Sequence, residues 1–352
     1  MKTMVLTLSF ILTSTFTKAQ SWISYDVSNG LANNNVQAIA IDSNGDKWFG
    51  TYGGGLSKFD GYNWITYSVN DGLVCDFIRA LKFDSAGNLW IGTDGGVSKF
   101  DGSNFINYTT FNGLSNNLVY AIEIDSNGNK WFATNMGVSK FNGINWTIYS
   151  TANGLSNNII SSMTIDPSGT MWFGTWGGGV IKFDGANWIN YNQANYVQSI
   201  KVDSVGNIWF GTQTGLKKYD GVTWTNYTTT NGLAGNIINS ITVDQFDNRW
   251  ICTNTAGVSK LYGNIFTNFN STNGLIGNQV NISTLENNGN IWFGTSDGVS
   301  VYTSQLTGSS EIKKKENIII FPNPSTDVVK IKVENELIGL NYKIKNDMGR
   351  VV

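Results

Sequence analysis

The stretch IDSNGDKWFGT, residues 41–51, holds a turn and a strand in eleven residues. Asp42, Asn44 and Gly45 are the residue types that reverse a chain: an Asp side chain accepts from backbone N–H groups just beyond it, and glycine takes positive φ at no steric cost. The strand that follows puts Trp48 on one face and Phe49 on the other, because successive strand side chains point to opposite sides. A sheet that is apolar on both faces must be covered on both. Stacking it between two like itself, around an axis, does this.

The rest of the chain supplies the copies. A tryptophan followed by Phe or Ile, a small residue and Thr recurs at Trp48, Trp90, Trp131, Trp172, Trp209, Trp250 and Trp292, at intervals of 42, 41, 41, 37, 41 and 42. Each copy divides into four short strands joined by Asx-Gly turns, the first being VQAIAID (36–42), KWFGT (47–51), LSKFD (56–60) and WITYS (64–68). A four-stranded meander repeating near 41 residues has the size of a propeller blade. A parallel β-helix needs a shorter rung, and a sandwich does not repeat.

Counting fourth strands gives the closure. An aromatic pair spaced three apart marks them at Trp64/Tyr67, Phe105/Tyr108, Trp146/Tyr149, Trp188/Tyr191, Trp224/Tyr227 and Phe266/Phe269, which is six for seven inner triplets. The seventh pair is Trp22/Tyr25, at the opposite end of the chain. The expectation is an all-β, seven-bladed β-propeller over residues 20–303, its last blade completed by residues 22–27. Closure hides the sheet edges that an open ring leaves unpaired.

Composition narrows the chemistry. The 352 residues include 40 glycines and only three prolines, as aromatic strands between glycine turns require. A formal charge of −2 gives no basic field for nucleic acid or anionic lipid. The absence of histidine removes Ser-His and Cys-His nucleophile pairs and the usual zinc sites. Cys75 and Cys252 fall at different places in different copies, so free, partly buried thiols are expected rather than a disulfide framework. Residues 1–19 read as a secretory signal, with Lys2, the apolar run VLTLSFILTSTF and a small-residue end at Ala19; no other segment is apolar enough to span a membrane.

The repeated phrase NNNVQAIAIDSNGDKWFGTYGGGLSKF and its copies resemble the two-component regulator propeller repeat, in which an Asp-x-x-Gly-Asn turn leads to Trp-Ile/Phe-Gly-Thr and a Gly-Leu/Val. The resemblance covers residues 22–302. It departs at Asp247, which replaces the turn glycine, and at Ala133 and Cys252, which replace the glycine after the aromatic pair. Members often form the sensor half of membrane-bound histidine kinases, but no span or kinase motif accompanies the repeats here. A polar linker (304–316) then leads to NIIIFPNPSTDVVKIKVENELIGLNYKIKNDMGRVV (317–352). This stretch resembles the C-terminal sorting domain of type IX secretion substrates, which opens on Tyr/Phe-Pro-Asn-Pro. The resemblance implies a partial small β-sandwich, truncated at Val352, and the type IX secretion machinery as a partner. It also implies a secreted or outer-membrane surface location reached through the periplasm, with poor export expected of the truncated form.

Features present in all seven copies are expected to build the ring. The acidic turn position (Asp42 to Glu286) lacks the glycine placement and bidentate Glu of a calcium loop, and reads as a hairpin device. The Thr after each aromatic pair reads as scaffold. Function is expected where copies differ, on the face shared by the loops between strands two and three and the connections between blades. The interval of 37 removes the NGLxNN element between the fourth and fifth blades, which should lower one wall beside Trp176 and Tyr196. The candidate ligand-binding residues are Tyr52, Arg79, Asp94, Tyr120, Trp176, Tyr196 and Gln213: aromatics to stack, with amides and a few charges to direct hydrogen bonds.

No catalytic residue, metal or cofactor is expected. Asp76, Asp94 and Glu123 are the carboxylates outside the repeated turn that could pair as acid and base, and a Lys82–Glu123 channel salt bridge is expected from their equivalent inner-strand positions. The reading is a non-catalytic binding module for an extracellular glycan or protein. The alternatives are a carbohydrate-active lyase or hydrolase using those carboxylates, and a sensor-type propeller detached from its regulator.

Overall fold

The computed structural model describes residues 19–305, which form seven four-stranded antiparallel sheets. In the first blade the inner strand is Val36–Ile41, the second Lys47–Thr51, the third Leu56–Phe59 and the outer Trp64–Tyr67. Inner strands of blades 2–7 are Ile78–Phe83, Val119–Ile124, Ile160–Ile165, Val197–Val202, Ile238–Val243 and Val280–Leu285. The seventh sheet takes its outer strand, Ala19–Tyr25, from the start of the chain, beside Val299–Gln305. This is the closure expected, with the strand lying a little earlier than residues 22–27. The rest of the expected signal peptide, the linker and the partial β-sandwich lie outside the described residues. Among the described residues no helix is long and apolar enough to cross a membrane.

The two apolar faces of each second strand explain the core. It consists of seven clusters, one per blade interface. In each, the tryptophan of one blade meets the apolar residue that follows the tryptophan of the next: Trp48 with Ile91, Trp90 with Phe132, Trp131 with Phe173, Trp292 with Phe49. The glycine after the aromatic pair permits this approach. A Cβ at Gly50 would stand 2.4 Å from Ile78 Cγ2 in the next blade, and one at Gly294 would stand 2.6 Å from Val36 Cγ1. Ala133 and Cys252 fill this position in blades 3 and 6 and are fully buried. Burial pushes the Cys252 thiol up to about 12, which leaves it inert.

Burying seven indoles requires partners for seven N–H groups. Each indole Nε1–H donates to the acidic residue of its own turn at 2.8–3.1 Å, from Trp48–Asp42 through Trp292–Glu286. In the six aspartate turns the other carboxylate oxygen accepts backbone N–H groups; Asp42 Oδ1, for example, takes those of Asn44 and Asp46, both at 2.9 Å. The repeated threonine is fully buried, and its hydroxyl donates across the next loop to a glycine carbonyl at 2.7–2.9 Å. Both features are scaffold, as expected.

Three interfaces add a cation just before the tryptophan. Lys47, Lys130 and Arg249 reach back to Glu286, Asp84 and Asp203 of the preceding blade and lie over its tryptophan ring. Asp247 takes φ of 61° in place of the usual turn glycine and places its carboxylate 2.6 Å from Arg249. That contact accounts for the irregular turn.

Trp22 seals the ring, its centroid 5.2–5.7 Å from those of Phe269, Phe293 and Tyr302. Trp22→Ala is expected to cost about 3–5 kcal/mol in denaturant unfolding; an unchanged midpoint would contradict closure by this strand. A second expectation concerns acid. Burial pushes Asp84, Asp125, Asp166, Asp203 and Glu286 upward, but hydrogen bonds from indole, amide and hydroxyl groups, with Arg249 at Asp203 and Lys47 at Glu286, outweigh it. All five lie below the ordinary 3.8 for Asp or 4.5 for Glu. The unfolded chain therefore binds more protons in acid, so stability is full above the ordinary values and lost as pH falls through the depressed ones. A melting temperature that stays flat down to about pH 2 would refute this coupling.

Candidate functional site

The topology gathers the variable residues. Antiparallel pairing puts the start of each inner strand beside the end of the second, as in Val36 opposite Thr51. The loops after each threonine therefore rim the face on which the inner strands begin. Beneath that rim runs a tunnel of about 900 Å³, walled by inner strands of all seven blades.

Four of the seven expected residues form one cluster across blades 1–3. Asp94 holds Arg79 by two hydrogen bonds, one to Nε and one of 3.0 Å to an outer nitrogen. The guanidinium carbon lies 5.4 Å from the Tyr52 ring centroid and 5.5 Å from that of Tyr120. Burial raises the Tyr120 phenol above its ordinary 10.0, so it stays a donor. Phe77 joins the cluster edge-on to Tyr52 at 4.8 Å, half-exposed. The sequence reading passes over Phe77, although it sits just before an inner strand, where Leu118 and Ile159 stand in the next two blades.

Trp176, Tyr196 and Gln213 lie on the other side, at blades 4 and 5. Ten residues separate the outer strand from the next inner strand at most junctions, for example between Tyr149 and Ile160; only residues 192–196 separate Tyr191 from Val197. This short connection lacks the 3₁₀ turn and capping box found at Val27–Asn29, Val69–Asp71, Thr110–Asn112, Thr151–Asn153 and Thr229–Asn231. Buried Ala194 fills part of its place. The Trp176 and Tyr196 rings meet at 89° with centroids 6.0 Å apart and are 44% and 41% exposed. Gln198 and Gln213, half-buried, have no hydrogen-bond partner among the described residues.

Other polar positions on the rim are committed to the ring. Asn239 donates to Val280 O at 3.0 Å and Asn281 to Val36 O at 3.0 Å, each reaching the next blade. Ser161 makes the same bridge to Val197 O. Asp76 accepts from Val69 N at 2.9 Å, the role Asn34 and Asn117 play at their junctions. It is a loop clamp rather than a free carboxylate. Glu123 pairs with Lys82 Nζ at 2.7 Å, as expected.

The model of the two-component regulator propeller repeat matches residues 30–53, 72–95, 154–177 and 193–214, so the chain carries these repeats. No curated protein sequence matches it. Among solved structures, the extracellular domain of the hybrid two-component system BT3049 of B. thetaiotaomicron aligns with a TM-score of 0.73 at 24% identity, over 90% of this chain and 46% of that one. PorZ, an essential surface component of the type-IX secretion system of Porphyromonas gingivalis, gives 0.65 at 18% identity, over 94% of this chain and 54% of its own. Staphylococcus aureus virginiamycin B lyase, as a catalytically inactive histidine-to-alanine variant with quinupristin, gives 0.66 at 16% identity, over 81% and 99%. The chain spans about half the length of the first two. At these identities the likeness shows the fold alone.

Tyr196 holds φ of 53°, where a side chain strains the backbone and glycine does not. Tyr196→Gly is expected to be more stable than Tyr196→Ala by about 1 kcal/mol. Equal melting temperatures for the two variants would show that the short connection relaxes out of this conformation.

Proposed function

We propose that this chain of two-component regulator propeller repeats is an extracellular, non-catalytic binding module. Its ligand, a glycan or a protein segment, sits on the rim beside Trp176 and Tyr196. One observation carries the reading: two half-exposed rings at right angles stand next to two amides, Gln198 and Gln213, that lack partners. Ring faces stack on the apolar faces of sugars or on peptide side chains, and free amides direct hydrogen bonds to hydroxyl or backbone groups. The shortened connection opens the rim at this point. A glycan is the first choice, because the Arg79 guanidinium is already neutralised by Asp94 and the remaining groups are uncharged.

The non-catalytic reading is supported by the commitments of the carboxylates described above. Asp76, Asp94 and Glu123 each serve a neighbour, a commitment that favours a structural role over paired acid–base work. The inactive lyase variant lacks a histidine, and this chain contains none. Export by the type IX route follows from the FPNPS stretch and the apolar leader, and agrees with the extracellular placement of the BT3049 domain. That same likeness favours, as a second reading, a sensor-type propeller reporting ligand to a separate regulator.

Trp176→Ala leaves the ring intact, since its indole is on the surface, and isolates binding. Glycan and peptide arrays probed with the wild-type chain and this variant are expected to show ligands that the variant loses. Silence on both arrays, or binding that survives the substitution, would overturn the rim assignment.

A further inference from the structure

Deeper in the tunnel lies a charged group that the rim does not use. Lys82, Glu123 and Lys201 occupy the same inner-strand position in blades 2, 3 and 5, each opposite its blade's tryptophan. Three residues further along the strand than the rim position of Gln37, this level sits about 10 Å into the tunnel. The other four blades carry only Ala40 and three threonines there. Lys82 and Glu123 satisfy each other at 2.7 Å. Lys201 is exposed to the lumen and has no ion-pair partner among the described residues.

Three observations converge on Lys201. Lys201, Lys82 and Glu123 all line the same tunnel, so the three groups share one lumen rather than three separate surfaces. Two ammonium groups and one carboxylate leave a single positive charge uncompensated. Although its side chain opens onto the lumen, the surrounding wall keeps bulk water away and holds the Lys201 ammonium below its ordinary 10.5, with Glu123 opposing the shift and Lys82 adding to it. An ammonium kept in such a place without a partner is most readily completed by an anion, because attraction is stronger away from bulk water. The tunnel is continuous from the Trp176 and Gln213 rim down to this level, which gives an anion a path.

We propose that Lys201, in the tunnel it shares with the Lys82–Glu123 pair, forms an anion site that takes one carboxylate group. The limit of one negative charge comes from Glu123: a dianion would leave a charge facing that carboxylate. An acidic sugar offers the matching group, with a hydroxyl for Thr284, which lines the tunnel at the same level. The inference does not depend on what the rim binds, since its donors and charge belong to the inner strands alone. Binding needs the charged amine, so affinity falls as pH rises through the lowered Lys201 value. Glu123 and Lys82 are the other titratable groups at this level.

Reductive methylation with ¹³C-formaldehyde keeps each lysine cationic and gives it an NMR signal. In the full chain, glucuronate and acetate are expected to shift the Lys201 signal and raise its titration midpoint, while glucose leaves both unchanged. Tighter binding of glucuronate than acetate assigns the group to an acidic sugar; equal binding assigns it to a carboxylate alone, and both support the site. Lys201→Gln is expected to weaken glucuronate binding about tenfold or more in calorimetry, and Lys201→Arg to restore most of it. A Lys201 signal unmoved by saturating glucuronate and acetate would overturn the site. Phosphate bound more tightly than either carboxylate would overturn its single-charge character. The wild-type spectra decide the matter even if a variant fails to fold, and a silent rim on the arrays leaves this result standing.

Discussion

One hydrogen bond, from an indole nitrogen to a carboxylate, organises the whole ring. In six of the seven blades an aspartate caps the first hairpin with one oxygen and holds the tryptophan with the other; in the seventh Glu286 holds the tryptophan. The bond fixes the ring that the next blade's Phe or Ile packs against, so turn, rotamer and blade interface depend on a single side chain. An indole buried without it would leave an N–H unpaired, at a cost of about 1–3 kcal/mol per blade. At three interfaces Lys47, Lys130 and Arg249 reach the same carboxylate of the preceding blade and tie one sheet to the next.

Because these devices repeat, they leave little freedom on the inner and second strands. Variation is confined to the residues just after the buried threonine, the first positions of the inner strands and the connections. Even there the molecule divides the work. Asn239, Asn281 and Ser161 bolt neighbouring blades together at the rim, whereas Gln198 and Gln213 remain free beside the one short connection. The five-residue junction and the free amides coincide at blades 4 and 5. The Arg79 cluster, by contrast, is closed on itself: a guanidinium between two tyrosines, neutralised by Asp94.

The fold was legible because its signals are periodic. Trp48 and Phe49 on opposite faces, seven times over, require a cover on both sides, and the missing seventh outer pair points to Trp22 and Tyr25. The site was only partly legible, for a physical reason. Whether a polar residue is free depends on what the adjacent blade presents, and adjacency lies about 41 residues away along the chain. Asp76 looks like a spare carboxylate in the sequence, but it stands where other junctions carry a clamping Asn. Lys201 matches Lys82 and Glu123 in strand position, yet that it lacks a partner emerges only when the lumen is closed. Asp247 reads as a defective turn until Arg249 is seen beside it.

The N-terminal strand that completes the seventh blade also sets the order of events during folding. Ser24 meets Ser300 across 276 residues, so the first strand of the ring finds its pairing partner only in the last. Six meanders can assemble from local contacts as they emerge, while the seventh waits with an open edge. The final step is a long-range search whose entropy grows only slowly with loop length, but which delays completion because no local contact substitutes for it. Until it occurs, Phe269, Phe293 and Tyr302 stand uncovered by Trp22. Any ring without this strand would expose those aromatic groups and one unpaired sheet edge at a single seam.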